Sequence, residues 1–296
     1  MSLDSPSTSS RKKITVPAFL SRKRSGTPIT VLTAYDFATA SILDRAEIDA
    51  LLVGDSLAMV MLGHENTLSV TMDEMLHHCK AVARGAKYAL LIGDMPFLSF
   101  QVDAREALRN AGRFLAEAGM DAVKLEGGRE VAGTVRAIVR AGIPVMGHLG
   151  LTPQSIHMLG GFKTQATTAD TARRLLEDAH ILEEAGCFAI VLEKVPDRLA
   201  RLVSEKLRIP TIGIGAGVHC DGQVLVTHDL LGLFDRFSPR FVKRYANLAQ
   251  EMERAFRQYA EEVRTRSFPD AEHSFPMRDD ECEKLMAELE RIPLTF

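Results

Sequence analysis

Ala50-Leu51-Leu52-Val53-Gly54-Asp55-Ser56 is the stretch whose reading decides the fold. An apolar run stops abruptly at a carboxylate and a hydroxyl. The same grammar returns at Leu90-Leu91-Ile92-Gly93-Asp94, Val123-Lys124-Leu125-Glu126, Pro144-Val145-Met146-Gly147-His148 and Ile190-Val191-Leu192-Glu193. Short apolar runs of this kind read as parallel strands buried on both faces. In a barrel of such strands, polar residues at the C-terminal ends converge on one mouth. The chain therefore aims acids, a lysine and a histidine at one place.

Working outward, strand-like and helix-like segments alternate along the sequence. Strands are expected at 29–33, 50–54, 89–94, 121–126, 143–148, 188–193, 210–215 and 223–227. Helices are expected at 37–46, 72–84, 103–118, 129–141, 169–185 and 197–206. This alternation implies right-handed crossovers. Eight strands in 296 residues fit a single α/β (β/α)8 TIM barrel of about 250 residues with additions better than a doubly wound open sheet. The loop 150–168 is long for a compact domain, and loops of that length are usually functional or disordered. The expected organisation is a lead-in at 1–13, a barrel domain at 14–276 and a C-terminal extension at 277–296, with a helix expected from about 241 to 266 and an acidic helical segment at 279–291.

Composition narrows the class. Apolar residues make up 46% of the chain, enough for a large core, and the net charge of -3 gives no reason to expect a nucleic-acid partner. No apolar stretch reaches the roughly 20 residues of a membrane span. Cys79, Cys187, Cys220 and Cys282 are far apart and form no CxxC pair. They fit a reducing, cytoplasmic setting. The Ser-rich start lacks a secretory apolar segment, and Arg11-Lys12-Lys13 reads as a solvated lead-in to a first helix.

The strand ends carry the chemistry. Asp55 and Asp94 close adjacent strands, and two carboxylates there repel unless they share a proton or a cation. Hard oxygen ligands with open positions suit Mg²⁺. Glu126 is a candidate third ligand, direct or through water. Each acid alone has an ordinary alternative, capping a helix or pairing with a base. Lys124, two residues before Glu126, shares its face of the strand. It could bind a substrate carboxylate, form a Schiff base, or pair with Glu126. His148 could orient a substrate oxygen or relay a proton. Glu193, away from the proposed metal cluster, is a candidate general base, with an ion pair to Lys194 as the plainer reading. Gly213-Ile214-Gly215-Ala216-Gly217 could hold phosphate or only permit a tight turn. His77 and His78 point to different helix faces and make a poor metal motif.

At these residues the chain resembles the ketopantoate hydroxymethyltransferase family. The matching runs are Val53 to Leu57, Gly63-His64, Thr67-Leu68, Val70 to Met75, Gly93 to Phe97, Val123 to Gly128, Gly147 to Gln154, Glu193, and Gly213 to Gly217 continuing through Cys220 to Val226. They fall in order across residues 14 to 276. The resemblance implies a Mg²⁺-dependent barrel enzyme of pantothenate biosynthesis, acting on 3-methyl-2-oxobutanoate with 5,10-methylenetetrahydrofolate as one-carbon donor. By residue match Asp55, Asp94 and Glu126 would serve the metal, Ser56 and Lys124 would bind the keto acid, and Glu193 would accept the C3 proton in a Mg-stabilised enolate mechanism. It also implies a homodecamer of two pentameric rings. Ala58 and Ala166 stand where glycine is expected. The phosphoenolpyruvate mutase and isocitrate lyase group is the nearest rival, but its Lys-Lys/Arg-Cys-Gly-His motif is absent.

Overall fold

The computed structural model describes residues 11–236 and 239–291. Most of the lead-in expected at 1–13 lies outside them. The chain divides into two compact units, one through Ala246 and one from Asn247, so the boundary expected at 276 falls inside the second.

The first unit opens with helix α1 (Val16–Ser25), then β1 (Ile29–Thr33), α2 (Phe37–Arg45), β2 (Ala50–Val53), α3 (Leu57–Val60) and α4 (Met72–Gly85). It continues with β3 (Leu90–Asp94), α5 (Ala104–Ala116), β4 (Ala122–Glu126), α6 (Ala132–Arg140) and β5 (Val145–Gly150). A 3₁₀ turn at Pro153–Ser155 leads into α7 (Ile156–Leu159). Then come α8 (Ala169–Ala185), β6 (Ala189–Glu193), α9 (Asp197–Lys206), β7 (Thr211–Ile214), β8 (Gly222–Leu225) and α10 (Thr227–Leu230). The eight strands pair in parallel in sequence order and close, β8 against β1, into the expected barrel.

Local chemistry sets the helices. Thr71 and Glu74 form a reciprocal capping box that starts α4, and Asp103 accepts from Arg105 N and Glu106 N to start α5. Such caps are worth about 1 kcal/mol each. Gly93 in β3 has no room for a side chain: a Cβ there would lie 2.4 Å from the Phe114 ring of α5. That contact seats α5 directly on the strand carrying Asp94.

Alternation sorts each strand into two faces. Outward residues such as Leu51, Leu91, Val123 and Ile190 pack against the helices in one continuous core. Inward residues such as Leu52, Ile92, Ala122, Met146 and Val191 form a second core inside the barrel. Helix α1 closes its floor. Phe19 is fully buried and meets Phe188 edge to face at 5.7 Å, a burial worth about 1.5–3 kcal/mol. Lys13 pairs with Asp121 at 2.6 Å and donates to Ala89 O, so the end of the lead-in is fastened to the barrel.

The second unit contains α11 (Leu248–Arg264) and α12 (Asp279–Leu289). The Phe268 ring lies between Tyr259 and His273, at 5.7 and 5.6 Å.

Candidate active site

The inward faces that build the apolar floor turn polar one step higher. Ala122 is followed by Lys124 and Glu126 on the same face, Ile92 by Asp94, Met146 by His148, and Val191 by Glu193. All line one cavity of about 160 Å³ at the C-terminal mouth, together with Asp55 and Ser56. Every sequence-predicted site residue is therefore in one place. Asp55, Asp94, Lys124, Glu126 and His148 are buried.

Lys124 Nζ lies 2.7 Å from Asp94 Oδ1 and 3.3 Å from His148 Nδ1. The plain reading of a Lys124–Glu126 pair is replaced by a pair with the neighbouring strand, because Asp94 stands beside Lys124 in the β3–β4 register. Burial pushes the ammonium pKa down, but Asp94, Glu126 and Asp55 raise it above the usual lysine range. A permanently charged lysine is a poor Schiff-base nucleophile. His148 Nδ1 is 3.4 Å from Glu126 Oε1, and Nε2 is 3.3 Å from Glu193 Oε2. Burial and Lys124 lower the imidazole pKa, while Glu126 and Glu193 more than offset them and raise it to about 9. His148 was expected from the sequence to end its strand, and it does not. β5 runs two residues further because Leu149 and Gly150 still pair with Leu192 and Glu193.

Asp55 and Asp94 are held close: Asp55 N donates to Asp94 Oδ2 at 3.0 Å. Burial, then Asp94 and Glu126, push the Asp55 pKa well above the usual carboxylate range. Burial also raises Asp94, against the pull of Lys124. Asp55, Asp94 and Glu126 crowd around one ammonium, Lys124, while His148 lies between Glu126 and Glu193. Glu126 Oε1 is buried without a hydrogen-bond partner. Among the described residues no three His, Cys, Asp or Glu side chains are arranged to enclose an ion. Mg²⁺, however, commonly takes one or two carboxylates and fills its remaining positions with water and substrate oxygens. Asp55 and Asp94 fit that donor set, with Glu126 behind them.

Ser56 starts α3, and its Oγ lies 2.8 Å from the Tyr35 hydroxyl. Tyr35 itself is buried. The Lys194 ammonium turns away from Glu193 and donates to Phe162 O. That contact ties the 150–168 loop to the end of β6 and leaves Glu193 facing the cavity. The Gly213–Gly217 segment is a packing turn. Cβ atoms at Gly215 and Gly217 would lie 2.9 Å from the Phe241 ring and 2.6 Å from Asp197 Cβ. Of the two departures from expected glycine, Ala58 is buried in α3, whereas Ala166 adopts φ +55°, the region glycine favours. His78 Nδ1 is taken up by Tyr35 O at 2.7 Å.

Sequence reasoning assigned no role to three further residues at the site. Tyr35 supports Ser56. Asp229, after β8, lines the cavity, and burial raises its pKa to about 6. Gln154 lies in the quoted Gly147–Gln154 run and reaches Asp55. A strand-end rule sees the last polar residue of a strand. It does not see a loop residue that folds back.

A family model described as ketopantoate hydroxymethyltransferase matches residues 13–271. A 3-methyl-2-oxobutanoate hydroxymethyltransferase of Syntrophobacter fumaroxidans is 59% identical over 275 residues, covering 93% of this chain and 97% of that protein. One of Oleidesulfovibrio alaskensis is 60% identical over 253 residues, covering 86% and 88%. Among solved structures, phosphonopyruvate hydrolase with oxalate and Mg²⁺ superposes with a TM-score of 0.58 at 15% identity, covering 93% of this chain and 96% of that one. A 2,3-dimethylmalate lyase of the PEP mutase/isocitrate lyase superfamily gives 0.56 at 15%, covering 93% and 98%. At that identity the likeness to the rival group is one of fold. The family match spans residues 13–271, all of the strands that line the cavity, and on it and on relatives of 59–60% identity the chain belongs to the ketopantoate hydroxymethyltransferase family.

Proposed function

We propose that this chain joins the one-carbon unit of 5,10-methylenetetrahydrofolate to C3 of 3-methyl-2-oxobutanoate as a hydroxymethyl group, water supplying its oxygen and tetrahydrofolate leaving, to give 2-dehydropantoate, with Mg²⁺ at Asp55 and Asp94. The observation that carries this reading is the charge pattern of the cavity. A buried, cation-deficient acid cluster lies on one side, and Glu193 stands apart from it on the far side of His148. When bound, the metal supplies Lewis-acid polarisation of the keto oxygen.

The protein's own groups do the rest. Lys124, held charged by Asp94, attracts the substrate carboxylate. Ser56, steadied by Tyr35, donates to a substrate oxygen. Glu193 removes the proton at C3. Its Oε2 lies 3.3 Å from His148 Nε2, within reach of a catalytic hydrogen bond once small adjustments are made. The apolar upper walls, including Val226, Phe234 and Phe241, exclude water from the reacting carbon.

The family resemblance also supports a homodecamer, which sedimentation tests, and a cytoplasmic setting agrees with four free cysteines. No helix among the described residues is long and apolar enough to cross a membrane.

Proton exchange at C3 of 3-methyl-2-oxobutanoate in D₂O, followed by NMR, tests the chemistry. The expected result is exchange with Mg²⁺ that disappears with chelator and in Glu193→Gln. If exchange needs the folate first, adding methylenetetrahydrofolate restores it and yields 2-dehydropantoate. No exchange and no product under any condition overturns the proposal.

A further inference from the structure

Gln154 is the one side chain from the β5 loop that reaches across the acid cluster. It is buried. Its amide Nε2 donates to Asp55 Oδ2 at 3.0 Å and to Met95 O at 2.9 Å. Its Oε1 accepts from Gln101 Nε2 at 3.1 Å. Its backbone N donates to Glu126 Oε2 at 3.0 Å. Asp55 follows β2, Met95 follows β3, Glu126 ends β4, and Gln154 follows β5. One residue thus ties the mouth ends of four consecutive strands.

The amide orientation is fixed by its partners. An amide offers two N–H donors and one carbonyl. Here both donors meet acceptors and the carbonyl meets a donor. Turning the group over would set its oxygen against a carboxylate and a carbonyl, leaving buried polar atoms unpaired at about 1–3 kcal/mol each. Met95 O, which can only accept, therefore sets the direction of Gln154, Gln101 completes its carbonyl, and Gln154 engages Asp55 Oδ2. The backbone contact to Glu126 sits in the same 3₁₀ turn, so the two acids share one anchor.

We propose that Gln154 is a positioning residue for the cation site, holding Asp55 and Glu126 in a ligating orientation and coupling the 150–168 loop to the ion. This rests on reading those acids as cation ligands. The coupling is reciprocal: an ion that needs the acids held favours the docked loop, and a docked loop favours the ion. A glutamine that merely pinned the loop would need no contact with either carboxylate.

The test uses Mn²⁺ as an EPR-visible probe with the full chain, and needs no turnover. Gln154→Met keeps length and approximate volume and removes the amide. It is expected to weaken Mn²⁺ binding by about 10–100-fold, as loss of an outer contact to a ligand does. Gln101→Met, which frees the Gln154 carbonyl, is expected to weaken it by roughly threefold or more, less than Gln154→Met. In the wild type, Mn²⁺ should slow tryptic cleavage at Lys163. In Gln154→Met, saturating Mn²⁺ should no longer do so. A folded Gln154→Met with wild-type Mn²⁺ affinity overturns the proposal. Should Gln154→Met fail to fold, Gln101→Met decides it by the same comparison. Failure of the wild type to bind Mn²⁺ overturns the cation-site reading itself, and the proposal with it.

Discussion

The Lys124 ammonium sits 2.7 Å from the Asp94 carboxylate, and neither side chain is more than 4% exposed. A pair so withdrawn from water costs much to assemble and more to break. Lys124→Met leaves Asp94 buried beside Asp55 and Glu126 with no ammonium among them. We expect it to lose about 3–5 kcal/mol of stability in chelator, read from urea unfolding at pH 7. Adding Asp94→Asn to that variant should recover part of the loss, since it removes the stranded charge. A single variant as stable as the wild type would show that the buried pair adds nothing to stability, Asp94 taking up a proton when the ammonium is gone.

Tyr35 and Ser56 make a subtler pair. Tyr35→Phe removes the hydroxyl 2.8 Å from Ser56 Oγ and little else. A neutral hydrogen bond is worth about 1 kcal/mol, so KM for the keto acid should rise roughly fivefold while kcat changes less. Steady-state kinetics separate the two, and a fall in kcat with unchanged KM would place Tyr35 in the chemical step instead.

Gly150 ends β5 with φ +94°, and a Cβ there would lie 2.2 Å from the carbonyl oxygen of Glu193. Gly150→Ala combines a disfavoured backbone with a clash against the strand that carries the proposed base. A loss of about 3 kcal/mol is expected, together with lost C3 exchange. Thermal melts and the NMR exchange assay check it. Full activity in this variant would mean that the Glu193 backbone moves freely.

Asp44 gives a pH dependence away from the site. Burial raises its pKa, but N–H groups of Lys87, Ala89 and Tyr88, with Arg11 nearby, bring it below the ordinary 3.8. A carboxyl held lower in the folded state than in the unfolded one binds fewer protons when folded. Its contribution is therefore fully present above pH 3.8 and fades as pH falls through the lower folded value. Asp44→Asn should cost about 1–3 kcal/mol at pH 7 and much less near pH 2. Urea unfolding at the two pH values, wild type against variant, reads the difference. An equal cost at both would assign the effect to shape rather than charge.

Much of this molecule is legible in its sequence because a parallel barrel writes its strands as unbroken apolar runs. β1, α8 and α9 fall at the expected bounds, and the other barrel strands and helices given bounds differ by a few residues, whereas α1 was expected only as a first helix. The charged groups were visible because alternation places Asp94, Lys124, Glu126 and Glu193 on the face that lower down is apolar. The floor was less legible. Nothing in Val16-Pro17-Ala18-Phe19-Leu20 says that Phe19 turns inward to stopper a barrel, since that depends on Phe188, far away in the chain. The loop after β5 was expected to be irregular, yet it contains a 3₁₀ turn and α7. Its glutamine reads as an ordinary polar loop residue until Asp55, 99 positions earlier, is brought beside it.

Phe19 fills the lower end of the barrel against Phe188, which leaves the C-terminal mouth as the way in past the charged groups. On the reaction proposed above, a small keto acid seated at the depth of Lys124 and Asp94 would have to be inside before a bulky folate arrived at the rim. The lengthened product can leave only when the spent carrier has moved aside. Last in is then first out, a queue imposed by architecture whatever the affinities of the individual guests.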